Sequence, residues 1–199
     1  MLTKLKKDQQ YIYILLSRTH TMPAKIIRLF TGEPYSHASI ALDLELNQLY
    51  SFARRNINNP FDSGFVYEDI ETGIFGKDKN VYCSVYAIPV SEKQYQKLCK
   101  ELNLFIQNKE DYDYNFLGLV GTLIGKNIQR EHHYFCSQFV SHLLSQSGIE
   151  LFRKEHGLIR PYDFHNRLKD ARIYSGKLSE YRGFVKVQQY KRNLLEKLA

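Results

Sequence analysis

Apolar and polar positions divide the chain into a first half that predicts strands and a second half that predicts helices. Segments that are rich in aromatic and β-branched residues, or in which apolar and polar residues alternate, are typical of strands. Such patterns cover 11–19, 36–43, 48–54, 65–70 and 81–90. The segment 48–54 follows 36–43 closely enough to return as its hairpin partner. A short helix opened by Pro23 and running to Phe30 is predicted between the first two strands.

After residue 90 the apolar period lengthens to the three and four spacing of helices. Ser91 is a suitable N-cap, and apolar residues recur at helical spacing from Tyr95 to Ile106. Further helices are predicted over 115–124, 136–146 and 161–168. Beyond Tyr174 the pattern is ambiguous, with 181–187 read as a last strand and 194–198 as a helical turn. A strand block followed by a helix block favours an α+β fold, with an antiparallel sheet covered by helices on one side.

Length and composition indicate a single globular domain. The chain has 199 residues, of which 43% are apolar and 25% charged, and no linker or repeat divides it. We therefore predict one domain over 1–199, with a core of about 11–170 and a basic C-terminal extension of about 175–199.

The charge balance suits an anionic partner without choosing one. A net charge of +7 is compatible with nucleic acid, a cell-wall polymer or a lipid surface, although many basic residues lie near the chain ends and can be solvated tails. The tyrosines recur at core-like spacings, which argues against nucleic-acid binding. The apolar run 11–16 is short and lacks a cleavage site, and 116–124 is about half of the roughly 20 residues that a membrane span needs. Three cysteines are too few for a disulfide framework, so we expect a cytoplasmic protein without a transmembrane segment.

Cys136 is the residue with the clearest chemical potential. The stripe of Phe139, Val140, Leu143 and Leu144 at helical spacing puts Cys136 at or just before a helix start. Unpaired amides and the positive end of the helix dipole favour a thiolate there, and the same amides can hold an oxyanion. The other two cysteines occupy core-like positions in a strand and a helix.

A thiolate nucleophile needs a base within hydrogen-bond reach. Of the seven histidines, His132 and His133 precede the helix where the chain runs away from the sulfur, and His142 lies on another flank of the helix. His37 opens a strand after a turn-like segment, at a sheet end that a helix N-terminus can meet. His37 is therefore the predicted partner of Cys136.

Two motifs together resemble a known family. A strand beginning Ser-His-Ala-Ser-Ile-Ala-Leu-Asp at Ser36, a hairpin return strand, and a downstream Tyr-Phe-Cys-Ser-Gln-Phe-Val at Tyr134 are similar to the circularly permuted papain-like proteins. This is the YiiX-like group, related to NlpC-type peptidases and lecithin:retinol acyltransferase. In this branch the histidine strand precedes the cysteine helix, as it does here. The resemblance covers roughly Tyr11 to Phe164 and implies Cys136 as nucleophile and His37 as general base.

The family usually has a third polar residue that orients the imidazole. Ser51, on the strand after His37, is the nearest polar match and is the predicted third catalytic residue. A serine hydroxyl accepts a hydrogen bond but supplies no negative charge for an imidazolium. Glu68, on the following strand, is the alternative.

These observations predict a cysteine-nucleophile hydrolase (amidase or peptidase) or acyltransferase that acts on an amide or ester of a small-molecule, peptide or lipid substrate. Spacings of zinc, calcium and phosphate-binding motifs are absent from the sequence, so no cofactor or metal is expected. The rival from another class is an inactive binding module of the same fold that captures a small amine, peptide or lipid head group. A third reading is a basic surface-binding protein.

Overall fold

The computed structural model describes residues 5–6, 8–19, 32–56, 59 and 62–198. The helix expected over 23–30 lies outside these residues. Within them the chain forms a mixed α+β structure with one sheet of eight strands and six α-helices. Strands dominate the first half and helices the second, as the change in apolar period predicts.

The sheet is antiparallel except at one end. In chain order the strands are β1 (Gln10–Arg18), β2 (His37–Ala41), β3 (Leu49–Arg54), β4 (Ser63–Glu68), β5 (Tyr82–Val90), β6 (Asp113–Tyr114), β7 (His133–Tyr134) and β8 (Arg172–Lys177). Their order across the sheet is β7-β6-β4-β3-β2-β1-β5-β8. β2 and β3 pair as the expected hairpin. The short strands β6 and β7 pair in parallel.

The helices follow mostly in the second half. They are α1 (Gly73–Lys77), α2 (Glu92–Gln107), α3 (Phe116–Leu123), α4 (Cys136–Gln146), α5 (Pro161–Arg167) and α6 (Tyr181–Leu198). Ser91 caps α2 by accepting a hydrogen bond from the amide of Gln94. Asn115 caps α3 in the same way through the amide of Gly118. Gly148, at a φ of 75° just beyond α4, supplies the left-handed conformation that ends the helix.

Both faces of the sheet are covered, which corrects the expectation of helices on one side only. Side chains alternate along β1, so that Ile12 and Ile14 join one core with Phe139 of α4, Leu98 of α2 and Phe164 of α5. Tyr13 and Leu15 point to the other face and join a second core with Tyr181 and Val185 of α6. The sheet is therefore the middle layer of three.

The C-terminal segment departs most from the sequence prediction. Residues 181–187, read as a strand, begin the long helix α6, and the last strand is β8, which pairs with β5. Tyr181 and Val185 are four residues apart and both buried, whereas Val187 is exposed, as a helix requires. The Tyr181 hydroxyl also donates to the carbonyl of Leu44. The basic extension therefore packs on the sheet face opposite α4.

No helix of the described residues has the length and apolar character needed to cross a membrane.

Candidate active site

Cys136 is the first residue of α4, where β7 ends and the chain turns. Phe135 before it is extended, with φ −104° and ψ 166°, and Phe139 and Val140 after it are completely buried in the first core. This packing fixes the helix start against the sheet. The amides of a first helical turn have no acceptor within the helix, so they face the space around the Cys136 side chain.

His37 is brought to Cys136 from the far end of the sequence. It is the first residue of β2, in register with Ser17 of β1, and its imidazole lies close enough to the Cys136 thiol for the charge and hydrogen bonding of Cys136 to raise the pKa of His37. Only 8% of His37 and 1% of Cys136 is exposed. The thiol and the imidazole therefore meet in a nearly dry environment, where a hydrogen bond between charged partners is strong.

The other side of the imidazole is held by Glu68, the last residue of β4. Its Oε1 atom lies 2.9 Å from Nε2 of His37, which leaves Nδ1 for the thiol. Its second oxygen, Oε2, accepts a 2.6 Å hydrogen bond from the Ser39 hydroxyl. The carboxylate is thus fixed at both oxygens, and it fixes the ring in turn.

This arrangement determines the charge of His37. Burial disfavours the imidazolium and by itself lowers the pKa of His37, but the negative charge of Glu68 and hydrogen bonds with Cys136 and Glu68 outweigh it. The result is a pKa raised from 6.5 to about 10. His37 therefore carries its proton at neutral pH.

Ser51, the predicted third residue, has a different partner. It is fully buried, and its hydroxyl donates a 2.7 Å hydrogen bond to the carbonyl of Ala38. The group that contacts the His37 ring is Glu68, the alternative considered for this position. A buried serine hydroxyl has a short reach and is satisfied by the neighbouring strand, whereas the longer glutamate side chain reaches the imidazole.

Tyr114 is a further member of the site that the sequence analysis did not identify. The parallel pairing of β6 with β7 sets Tyr114 beside Tyr134, two residues before Cys136. Its side chain lies close to that of Cys136, and burial, together with the charge and hydrogen bonding of Cys136, raises the pKa of Tyr114 well above 10. The phenol therefore stays protonated and acts as a donor toward the sulfur.

Two contacts of the site were not predicted from the sequence, that of Ser39 with Glu68 and that of Tyr114 with Cys136. The sequence signals for them differ in strength. Ser39 follows His37 by two residues on a strand and so shares its face, which could have been noticed. Tyr114 is marked by nothing in its own segment, because the contact depends on a parallel bridge between two strands of two residues each.

The remaining histidines near α4 lie elsewhere. His132 is exposed, and His142 packs against Tyr134 and His156, with ring centroids 5.3 and 5.6 Å away. Burial lowers the pKa of both His142 and His156. No group of three or more His, Cys, Asp or Glu in the described part of the chain is arranged to hold a metal ion.

The burial of Cys136 limits access to the site. With 1% of the residue exposed, a carbonyl carbon can approach the sulfur only after the side chains over it move. Small reagents should therefore reach the thiol more readily than bulky ones.

Comparison of the chain with protein-family models, with curated proteins and with solved structures finds no match.

Proposed function

We propose that the protein is a cysteine-nucleophile hydrolase or acyltransferase that acts on an amide or ester. The observation that carries this proposal is the grouping of a thiol at a helix start, an imidazole beside it and a doubly hydrogen-bonded carboxylate on that imidazole, formed by Cys136, His37 and Glu68. Nucleophile, base and orienting group within hydrogen-bond reach of one another are the requirements of acyl transfer through a covalent intermediate.

The resting site is an ion pair in this scheme. The proton of the Cys136 thiol resides on Nδ1 of His37, because Glu68 stabilises the imidazolium. The thiolate attacks the substrate carbonyl carbon, and the carbonyl π electrons move to oxygen. The first-turn amides of α4 hold that oxyanion, since they point to the space beside the sulfur.

Collapse of the tetrahedral species breaks the bond to the leaving group. The proton of His37 passes to the departing nitrogen or oxygen, and a thioester remains on Cys136. Water or an amine then attacks the thioester, giving its proton to His37, and the carbon–sulfur bond breaks. Water gives hydrolysis, and an amine gives acyl transfer.

Tyr114 supports the thiolate from another side. The protonated phenol donates a hydrogen bond to the sulfur before attack. It also lies close enough to stabilise the negative charge that develops near the sulfur during the reaction. We assign it the role of a positioning and stabilising donor.

The chain order of these residues supports assignment to the permuted papain-like branch. His37 on a strand precedes Cys136 on a helix, and an antiparallel sheet packs against that helix. The family assignment remains part of the proposal.

The rival reading, an inactive binding module, depended on the lack of a charged third residue. Glu68 beside His37 removes that support. The chemistry of an enzyme is therefore the better account of the site.

The proposal is tested by capture of the acyl-enzyme. The full chain is mixed with a p-nitrophenyl ester, and p-nitrophenol release is followed while intact mass is recorded. We expect a burst of about one equivalent, an acyl adduct mapped to Cys136 and its removal by hydroxylamine, with no adduct in Cys136→Ser. An adduct that is absent, or equally present in Cys136→Ser, would reject the proposal.

A further inference from the structure

Helix α3 presents an apolar face that no described part of the chain covers. Phe116, Leu117, Val120 and Ile124 are 38%, 57%, 54% and 64% exposed. The opposite side of the same helix, with Leu119 and Thr122 among others, is buried. Scattered exposed apolar residues are common on soluble proteins, but several on one helical face mark an interaction surface.

The turn after α3 enlarges this face. The side chain of Ile128 lies against Gly121, where an added Cβ would be only 2.9 Å from its Cγ1 atom, and 36% of Ile128 is exposed. We call Phe116, Leu117, Val120, Ile124 and Ile128 the α3 patch.

The segment that carries the α3 patch has only basic charges, with Asp113 and Glu131 just outside its two ends. Between Asn115 and Arg130 the charged residues are Lys126 and Arg130, with no Asp or Glu. The whole chain carries +7. An apolar helical face followed in the chain by exposed cations suits a segment that enters the headgroup region of an anionic bilayer.

We propose that the α3 patch binds the protein to an anionic lipid surface. Leu117, Val120 and Ile124 enter the boundary between headgroups and acyl chains, and Lys126 and Arg130 contact the headgroup phosphates. A second copy of the chain is the less suitable occupant, because a two-fold contact would bring two segments of the same positive sign together.

The α3 patch lies beside the candidate active site. The ring centroids of Phe116 and Tyr114 are 4.7 Å apart, and the Tyr114 side chain lies close enough to Cys136 for that residue to raise its pKa. Surface binding itself needs no chemistry at Cys136, so it stands or falls independently of the proposed function.

Vesicle flotation tests whether the α3 patch binds anionic lipid. The full chain is mixed with vesicles of phosphatidylcholine and phosphatidylglycerol at 7:3, and with phosphatidylcholine alone. We expect binding to the anionic vesicles that weakens with salt, unchanged in Cys136→Ser. The double variant Leu117→Glu with Val120→Glu should bind at least about tenfold more weakly. The neutral pair Leu117→Ser with Val120→Ser should also bind several-fold more weakly, since it loses insertion without adding charge.

A matched control lies on α6. Val187 and Leu194 are 51% and 45% exposed on a helix with five basic residues and one acidic residue, so Val187→Glu with Leu194→Glu changes the charge by the same amount and the exposed apolar area by a similar amount. We expect this variant to bind like the wild type. Thermal midpoints and circular dichroism confirm that each variant is folded.

A fluorescent probe locates the contact directly, because the chain contains no Trp. Leu117→Trp should shift its emission to shorter wavelength on anionic vesicles and be quenched by brominated lipid, while Val187→Trp should not. Wild-type binding by the α3 variants, or loss of binding only in the α6 control, would overturn the proposal. The proposal would also be overturned if the wild type does not bind vesicles and is instead a dimer that the α3 variants convert to monomers.

Discussion

The Oε1 atom of Glu68 lies 2.9 Å from Nε2 of His37, and the Ser39 hydroxyl holds the second carboxylate oxygen. An imidazole held in this way has one fixed orientation, with its other nitrogen directed to Cys136. The pair therefore sets both the charge of His37 and the direction in which its proton can move.

The role of Glu68 can be separated from that of Ser51 by two variants. Glu68→Gln keeps the side-chain size but removes the charge that stabilises the imidazolium, so we expect the acylation rate to fall on the order of 100-fold or more. Ser51→Ala loses a hydrogen bond to Ala38 and should cost about 1 kcal/mol of stability with acylation nearly unchanged. The measurement is burst kinetics with the p-nitrophenyl ester. Equal losses in the two variants would contradict the assignment.

Cysteine reactivity gives a prediction that needs no substrate. Below its pKa an ordinary thiol is alkylated about tenfold more slowly for each pH unit that the pH falls, whereas a thiolate held by protonated His37 should react with iodoacetamide at a nearly constant rate from pH 6 to 8. His37→Ala should restore the ordinary slope. Peptide mass spectrometry follows each cysteine separately.

The other cysteines are internal controls for this labelling. Burial raises the pKa of the Cys83 thiol. It also raises that of Cys99, where a hydrogen bond from Tyr95 lowers the pKa by less than burial raises it and the charge of Glu92 adds to the rise. Both should remain slow at pH 6. Labelling of all three cysteines in proportion to exposure would favour the inactive binding module.

Tyr114→Phe removes one hydroxyl and keeps the ring that packs on Phe116. Loss of the donor to Cys136 should slow acylation by about tenfold or more, while the thermal midpoint changes little. Tyr112→Phe, on the same segment, is the matched control and should behave as the wild type. An unchanged rate in Tyr114→Phe would remove this residue from the site.

The stability of the fold should depend on pH through His37, which is best measured in Cys136→Ser so that the thiol does not titrate. Burial opposes the charge, yet Glu68 raises the pKa of His37 above its unfolded value of 6.5, and in the native chain Cys136 adds to this rise. The folded state of the variant then binds more protons between the unfolded and the folded pKa of His37. The stabilisation is complete below pH 6.5 and is lost as pH rises through the folded pKa, by up to about 1.4 kcal/mol per pH unit.

The comparison for this pH effect is Cys136→Ser combined with Glu68→Gln. Without the carboxylate the pKa of His37 is no longer raised by Glu68, and the decline between pH 6.5 and 10 should be lost. Urea unfolding at several pH values measures both proteins. If the stability of the two proteins changes with pH in the same way, the ion pair of His37 with Glu68 does not form.

The packing of α6 predicts a sharp contrast along one helix. Tyr181 is fully buried and donates to Leu44, so Tyr181→Ala should cost about 3 kcal/mol or more. Tyr190 is 70% exposed, and Tyr190→Ala should stay within about 0.5 kcal/mol of the wild type. Urea midpoints decide between this arrangement and a loosely attached C-terminal extension.

Local pattern was sufficient where an element depends on its own residues. The spacing of Phe139, Val140 and Leu143 predicts a helix with Cys136 at or just before its start, because apolar residues three and four apart form one face of a helix and not of a strand. The alternation from His37 to Ala41 likewise determines a strand. A short apolar run fits both periods, so the strand predicted over 181–187 is wrong, and packing of this segment against the second core decides that it is a helix.

Contacts across the sheet were decided only by the tertiary structure. Ser51 and Glu68 are both polar residues on strands following His37, and the sequence holds nothing about which side chain bends to the imidazole. Tyr114 reaches Cys136 through a parallel bridge between two-residue strands, which leaves no periodic signal. Periodicity records which way a residue faces along its own element, whereas the distance between elements depends on how the whole sheet twists and packs.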